Sequence, residues 1–194
     1  MGYYFDYCDD IIRGLKGLCV TDGKGNTIDH EKAFDIFASK VKQVSEESGF
    51  VFFCGNGASC TMAEHMSHDF FQNAFVNTQT CAETAHITAI SNDISYEDVF
   101  AFRIKRIMRP IDAIVAISSS GNSKNILKAV QSAKENGSFV ITISGKKEDN
   151  SLRKMGNLNF YVKLDTYGMV ESAHAVLLHS LLDYYLDKFY QGRH

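Results

Sequence analysis

Ala113-Ile-Val-Ala-Ile-Ser-Ser-Ser-Gly-Asn-Ser-Lys-Asn-Ile-Leu-Lys-Ala129 is the stretch that decides how this 194-residue chain is read. Ile114 to Ile117 is a β-branched, apolar run of the kind that forms a buried strand. Ser118, Ser119 and Ser120 follow, then Gly121, Asn122 and Ser123, and after them Ile126, Leu127 and Val130 recur at helical spacing. The pattern is strand, hydroxyl-rich turn, helix start. The first N–H groups of a helix have no intrahelical partner, and the helix dipole favours an anion there. The hydroxyls of Ser118, Ser119, Ser120 and Ser123 add donors without adding charge. This is the composition of a phosphate cradle. It is also the composition of an ordinary capped turn, since Ser and Asn are the usual caps, so the rest of the chain has to decide.

Strands and helices alternate on both sides of this stretch. Phe50-Val-Phe-Phe-Cys54 reads as a buried strand, followed by the turn Gly55-Asn-Gly-Ala-Ser59 and a helix from Ser59 to Gln72. Ala85 to Ser91 reads as a short strand and Glu97 to Met108 as a helix. Ser138 to Ile143 is a strand, Asn150 to Met155 a short helix, Asn157 to Leu164 a strand, and Val170 to Tyr190 a long helix. Ahead of them come two amphipathic helices. One carries Tyr4, Cys8, Ile11, Ile12, Leu15 and Leu18. The other, capped by Asp29 and ending near Gly49, carries Phe34, Phe37, Ala38, Val41 and Val44. Val20 to Thr27 reads as the loop between them. Such alternation predicts an α/β fold with a mostly parallel sheet and helices on both faces. Ligands then bind at the C-terminal ends of strands. Gly55–Ser59 and Ser118–Ser123 both lie at such ends and are expected to face one pocket.

Composition bounds the possibilities. Hydrophobic residues make up 45% and charged residues 22% of the chain, as in ordinary globular domains. A net charge of −3 gives no footprint for nucleic acid, and no apolar run is long enough to span a membrane. The N-terminus lacks the basic start of a signal peptide. The cysteines Cys8, Cys19, Cys54, Cys60 and Cys81 are odd in number and show no CxxC spacing, which fits reduced thiols in the cytoplasm. Pro110 is the only proline, so no Pro-rich linker divides the chain. We expect one domain over 1–194, with leading helices over 1–49 that form an oligomer interface and a ligand-binding core over 50–194.

Other residue groups carry chemistry. Gly55-Asn-Gly-Ala-Ser59 resembles half of a dinucleotide fingerprint, but Cys60 stands where the third glycine is required. His65 and Asp69 are four apart on one helix and share a face, with His68 close by. An imidazole and a carboxylate at that spacing make half of a zinc site, although most such pairs are simply a polar surface. Glu171, His174 and His179 emerge from an otherwise apolar helix, where charged groups are seldom buried unless paired or metal-bound. Local spacing favours pairing Glu171 with His174. Glu171 and His179 lie about 12 Å apart along the axis, so they share an ion only if both reach inward or across subunits.

Gly55-Asn-Gly-Ala-Ser59, His65…Asp69, Ser91-Asn-Asp-Ile-Ser-Tyr-Glu-Asp98, Ile117-Ser-Ser-Ser-Gly-Asn-Ser123 and Glu171…His179 occur in this order. Together they resemble the phosphoheptose isomerases of the sugar isomerase (SIS) domain family. The resemblance runs from about Phe50 to Tyr185. It implies a three-layer αβα fold and a homotetramer with active sites between subunits. It also implies zinc held at His65, Asp69, Glu171 and His179. Substrate contacts are implied at Asn56, Gly57, Ala58, Ser59, Asn92, Asp93, Ser118, Ser119, Ser120, Ser123 and Glu171, with Asp69 and His179 as the catalytic base and acid.

The implied reaction converts sedoheptulose 7-phosphate to D-glycero-D-manno-heptose 7-phosphate, toward surface-polysaccharide heptose. Rival readings are an isomerase of another sugar phosphate, a sugar-phosphate sensor, and a non-catalytic SIS binding or adaptor protein. The last of these has lost the metal residues, whereas His65 and His179 are present here. The chain departs from the family at Asp69, where Glu is usual, at Glu171, where Gln is usual, and at Ala58, where Gly is usual. Asp is one methylene shorter than Glu, and a misplacement near 1 Å costs about a hundredfold in rate. Glu171 adds a negative charge that favours zinc and opposes an anionic sugar.

Overall fold

The computed structural model describes residues 2–190. Helix α1 (Tyr3–Lys16) leads into strand β1 (Cys19–Asp22) and helix α2 (His30–Glu46). Then come β2 (Val51–Cys54), α3 (Ala58–Ala74), β3 (Thr78–Thr80) and α4 (Thr84–Asp93). After a 3-10 turn at Tyr96–Asp98 follow α5 (Ala101–Ile107), β4 (Ala113–Ser118), α6 (Lys124–Glu135) and β5 (Phe139–Gly145). A second 3-10 turn at Leu152–Lys154 precedes β6 (Leu158–Val162) and the long α7 (Tyr167–Tyr190).

The six strands form one sheet in the order β1-β6-β5-β4-β2-β3. All neighbouring pairs are parallel except β1 against β6. Alternate residues of each strand point to opposite faces, and two separate apolar clusters result. Phe53, Val115, Ile117, Ile141 and Ile143 pack with Phe37 and Val41 of α2, Met66 and Phe70 of α3, and Leu178 and Tyr185 of α7. On the other face Phe52, Ile114, Ala116 and Val140 pack with Ile104 of α5 and with Ile126 and Val130 of α6. This is the expected three-layer αβα arrangement. Each large apolar side chain so buried contributes roughly 1.5–3 kcal/mol. The sheet is also tied by polar groups. The buried Asp112 carboxylate accepts from Phe50 N at 2.8 Å and Arg109 N at 2.7 Å, fixing the starts of β2 and β4 together.

Four local expectations need correction. Val20–Thr27 is not all loop, because Cys19–Asp22 pairs antiparallel with β6 before the chain turns. Residues 85–91 are helical, inside α4. Ala85, Ile87 and Ala89 alternate as in a strand, whereas Ile87 and Ile90, three apart, share the helix face that meets the core. The edge position beside β2 is taken instead by Thr78–Thr80, a run too short and polar to signal itself. The segment from Glu97 breaks into a 3-10 turn and the short α5, and that from Asn150 shrinks to the 3-10 turn. At the end of α2 the left-handed residue is Ser48, with φ 54°, and Gly49 N donates to Val44 O at 2.8 Å.

The two leading helices differ. Asp29 accepts from Glu31 N and Lys32 N as the cap of α2, and the apolar stripe of α2 is buried on the sheet of its own chain. Helix α1 buries only Gly14 and leaves Tyr3, Tyr4, Phe5 and Ile12 exposed. No helix of the described residues is long and apolar enough to cross a membrane.

Candidate active site

The cradle forms where β4 ends. Ser118 Oγ lies 3.3 Å from Ser123 Oγ, and Gly121 N donates to Ser118 Oγ at 3.2 Å. Asn122 N donates to Ser120 Oγ at 3.3 Å. The turn needs glycine at Gly121. Its φ is +65°, and a Cβ there would come within 2.0 Å of Asn150 Oδ1. Ser123 is the N-cap of α6 but makes no side-chain cap bond, so its hydroxyl is not committed to the helix. Ser119 Oγ is buried and has no hydrogen-bond partner among the described residues.

The second loop meets this turn. Gly57, with φ +55° and ψ −126°, occupies a backbone region open essentially only to glycine and starts α3. Asn56 is held from two sides. Its Nδ2 donates to Asn125 Oδ1 at 2.8 Å, while its Oδ1 accepts from Asn125 Nδ2 at 2.9 Å and Tyr96 Oη at 3.1 Å. Between the loops lies a cavity of about 140 Å³ lined by Asn56, Ser59, Ile117, Ser118, Ser119, Ser120, Ser123, Tyr167 and Glu171. Seven of the expected substrate-contact residues therefore share one cavity. Gly57 and Ala58 sit exposed beside it. Asn92 and Asp93 lie outside it, exposed at the end of α4 and hydrogen-bonded to each other at 2.8 Å. Tyr167 and the two residues that hold Asn56 escaped the sequence reading. Tyr96 sits within the quoted 91–98 motif, and Asn125 follows the serine turn.

A second cluster gathers where α3 meets α7. His65 Nε2 lies 3.2 Å from Asp69 Oδ2 and 3.1 Å from His179 Nε2. One ligand atom from each of the three residues lies within 4.8 Å of the others. His179 Nδ1 donates to Ala175 O at 2.8 Å, which fixes the tautomer and leaves Nε2 as the working nitrogen. Two imidazole nitrogens and a carboxylate are the donor set of an open catalytic zinc site. A half-exposed His65 leaves room for a further ligand. The residues present fit a divalent metal.

Glu171 is not among them. It lies eight residues before His179, about 12 Å along the helix, and faces the cavity instead. Nor does it pair with His174. His174 is completely buried, with no hydrogen bond to either ring nitrogen among the described residues. Burial pushes its pKa down to about 4, against a smaller opposing influence from the Ser144 main chain. His68 is exposed. Ser59 lines the cavity and His65 lies six residues on, about 9 Å along α3. Cradle and cluster are thus separated by roughly the length of an extended sugar phosphate.

The sequence pattern of the SIS domain matches residues 26–145, and the chain belongs to the SIS domain family. A phosphoheptose isomerase from Mycobacterium bovis is 31% identical over 140 residues, covering 69% of this chain and 71% of that relative. One from Helicobacter pylori is 29% identical over 144 residues, covering 71% of this chain and 74% of the other. Among solved structures, a phosphoheptose isomerase from Neisseria gonorrhoeae matches with a TM-score of 0.79 at 25% identity, covering 93% of this chain and 96% of that one. Within the SIS family this chain's place is among the phosphoheptose isomerases.

Proposed function

We propose that the protein is an aldose–ketose isomerase that converts sedoheptulose 7-phosphate to D-glycero-D-manno-heptose 7-phosphate in the cytoplasm, supplying heptose for surface polysaccharide. The observation that carries this is the pairing of a hydroxyl-lined cavity with a His/Asp/His cluster along the same two helices. The cradle takes the phosphate, and the sugar carbons extend toward the cluster. Binding energy from the remote phosphate then holds the reacting end in place.

The reaction moves one proton between adjacent carbons and develops negative charge on oxygen. Asp69 is the base. Its Oδ2 faces His65, while Oδ1 has no hydrogen bond among the described residues and is free to take the proton. His179 has one working nitrogen, Nε2, because Nδ1 is tied to Ala175 O, so it is the partner acid only while Nε2 carries a proton and holds no ion. His65, Asp69 and His179 would hold a divalent ion, zinc by its donor set, which polarises a carbonyl when bound. Glu171 belongs with the cradle, where its carboxylate can accept from sugar hydroxyls. Asn92 and Asp93 meet the substrate only across a subunit boundary, within a homotetramer to which α1 contributes its exposed apolar face.

The test is turnover of sedoheptulose 7-phosphate, followed as formation of the aldose phosphate. Wild type is expected to convert it. Asp69→Asn should fold normally and lose at least about a hundredfold in kcat, the usual weight of a general base. Asp69→Glu should raise the rate if the shorter carboxylate is only a weaker version of a longer one. It should lower the rate if the pocket is packed around Asp. Wild-type turnover in Asp69→Asn would refute the assignment and make His68 the next base to examine. No turnover by wild type would refute the reaction.

A further inference from the structure

The cavity that takes the phosphate has no cation in its wall. Its lining is hydroxyl, amide, aromatic and one carboxylate, Glu171. A phosphate dianion would share this small space with a negative charge. Neutral donors satisfy phosphate oxygens, but they do not offset that repulsion.

One cation touches the wall. Lys146 Nζ sits over the ring of Tyr167, 3.9 Å from its centroid, and makes no ion pair among the described residues. Two further features hold it there. Gly145, just before it, passes so close to α7 that a Cβ would lie 2.4 Å from Val170 Cγ1. The end of β5 is thereby pressed against the start of α7. Lys146 itself has φ 59°, in the left-handed region, and its carbonyl accepts from Tyr161 Oη at 2.7 Å. A long, β-carbon-bearing residue in that region costs roughly 1–2 kcal/mol relative to glycine. Glycine would relieve the strain, so the lysine side chain needs another reason to be there.

We propose that Lys146 is a substrate-binding residue that supplies the positive charge the cradle lacks, with the Tyr167 ring positioning its ammonium at the cavity wall. The inference rests on the sugar-phosphate reading of that cavity and extends it to a residue outside the serine turn. The ammonium need not leave the ring to act, because a charge at the edge of the cavity already attracts the dianion. A unit positive charge about 6 Å from a dianion, at water's dielectric constant of about 80, is worth about tenfold in affinity.

The experiment compares wild type with Lys146→Met, Lys146→Arg and Lys146→Gly. Affinity for inorganic phosphate is read by calorimetry, and KM and kcat with sedoheptulose 7-phosphate. Lys146→Met should weaken phosphate binding and raise KM about tenfold, with kcat within about twofold. Lys146→Arg should stay near wild type. Lys146→Gly separates charge from backbone, since it should raise the melting temperature by relieving φ and yet bind phosphate as poorly as the methionine variant. The wild-type KM should rise with ionic strength more steeply than that of Lys146→Met. Wild-type phosphate affinity in both Lys146→Met and Lys146→Gly, or an unchanged salt dependence, would overturn the proposal. Failure of wild type to turn over this sugar would instead count against the isomerase reading, because the phosphate titration tests Lys146 independently.

Discussion

Replacing His174 with leucine should make the protein less sensitive to mild acid. The wild-type ring is sealed in α7 with neither nitrogen hydrogen-bonded among the described residues, and burial lowers its pKa from 6.5 to about 4. In the unfolded chain the ring is in water and titrates near its ordinary value. Between these two values the unfolded state binds more protons than the folded state, so stability rises with pH through this window and falls as pH drops. Over the full window the loss is roughly 3 kcal/mol, and between pH 7 and pH 5 it is about 2 kcal/mol. His174→Leu keeps an apolar body of similar size and removes two buried nitrogens whose one polar influence is weak, from the Ser144 main chain, so at pH 7 it should be close to wild type in stability. Urea denaturation followed by circular dichroism at pH 5, 6 and 7 reads the difference. Chelator belongs in every sample so that metal release adds no slope of its own, and protein concentration must be fixed because association shifts apparent stability. The variant should lose about 2 kcal/mol less than wild type between pH 7 and pH 5. Parallel pH profiles would show that His174 is not the buried neutral base described here.

Other outcomes follow from the same geometry. Ser119→Ala combined with Ser123→Ala should weaken sugar-phosphate binding by at least about a hundredfold, since each hydrogen bond to a charged group is worth about 1.5–3 kcal/mol. Its circular dichroism spectrum should match wild type, and unaltered affinity by calorimetry would remove the cradle. Purified protein should carry a divalent metal, and His65→Ala or His179→Ala should lose most of it by elemental analysis. Retention of full metal content by both variants would place the ion elsewhere. Light scattering should find an assembly several times the 21.7 kDa chain, and Phe5→Asp with Ile12→Asp on α1 should dissociate it. A stable wild-type monomer at working concentration would contradict the interface.

Much of this was legible in one dimension because it depends on local pattern. The β-branched run into Ser118 and the helical spacing after Ser123 specify strand, turn and helix. The alternation of such units specifies a parallel sheet covered on both faces. His65 and Asp69 share a face by helical geometry alone, and Asp29 reads as a cap because it precedes an apolar stripe. Where the pattern was short it misled. Residues 85–91 carry too few turns to separate a helix from a strand, and Thr78–Thr80 is a strand only because β2 offers an edge to pair with.

Long-range placement was decided only in three dimensions. Nothing in the spacing of α7 says that Glu171 faces the cradle while His179, eight residues later, meets His65. That follows from α7 passing the cradle at its start and meeting α3 further along. Nor does the sequence distinguish the stripe of α2, buried on its own sheet, from that of α1, left exposed. Both read as amphipathic, and only the packing partner differs. Lys146 is the plainest case. In sequence it is one of several charged residues after a strand. Its left-handed backbone, the close approach of Gly145 to α7 and the ring of Tyr167 beneath its ammonium arise only when β5 and α7 are packed together. Hydrophobic periodicity reports which face of an element is buried. It does not report which element lies opposite, and that second fact is what assembles a site.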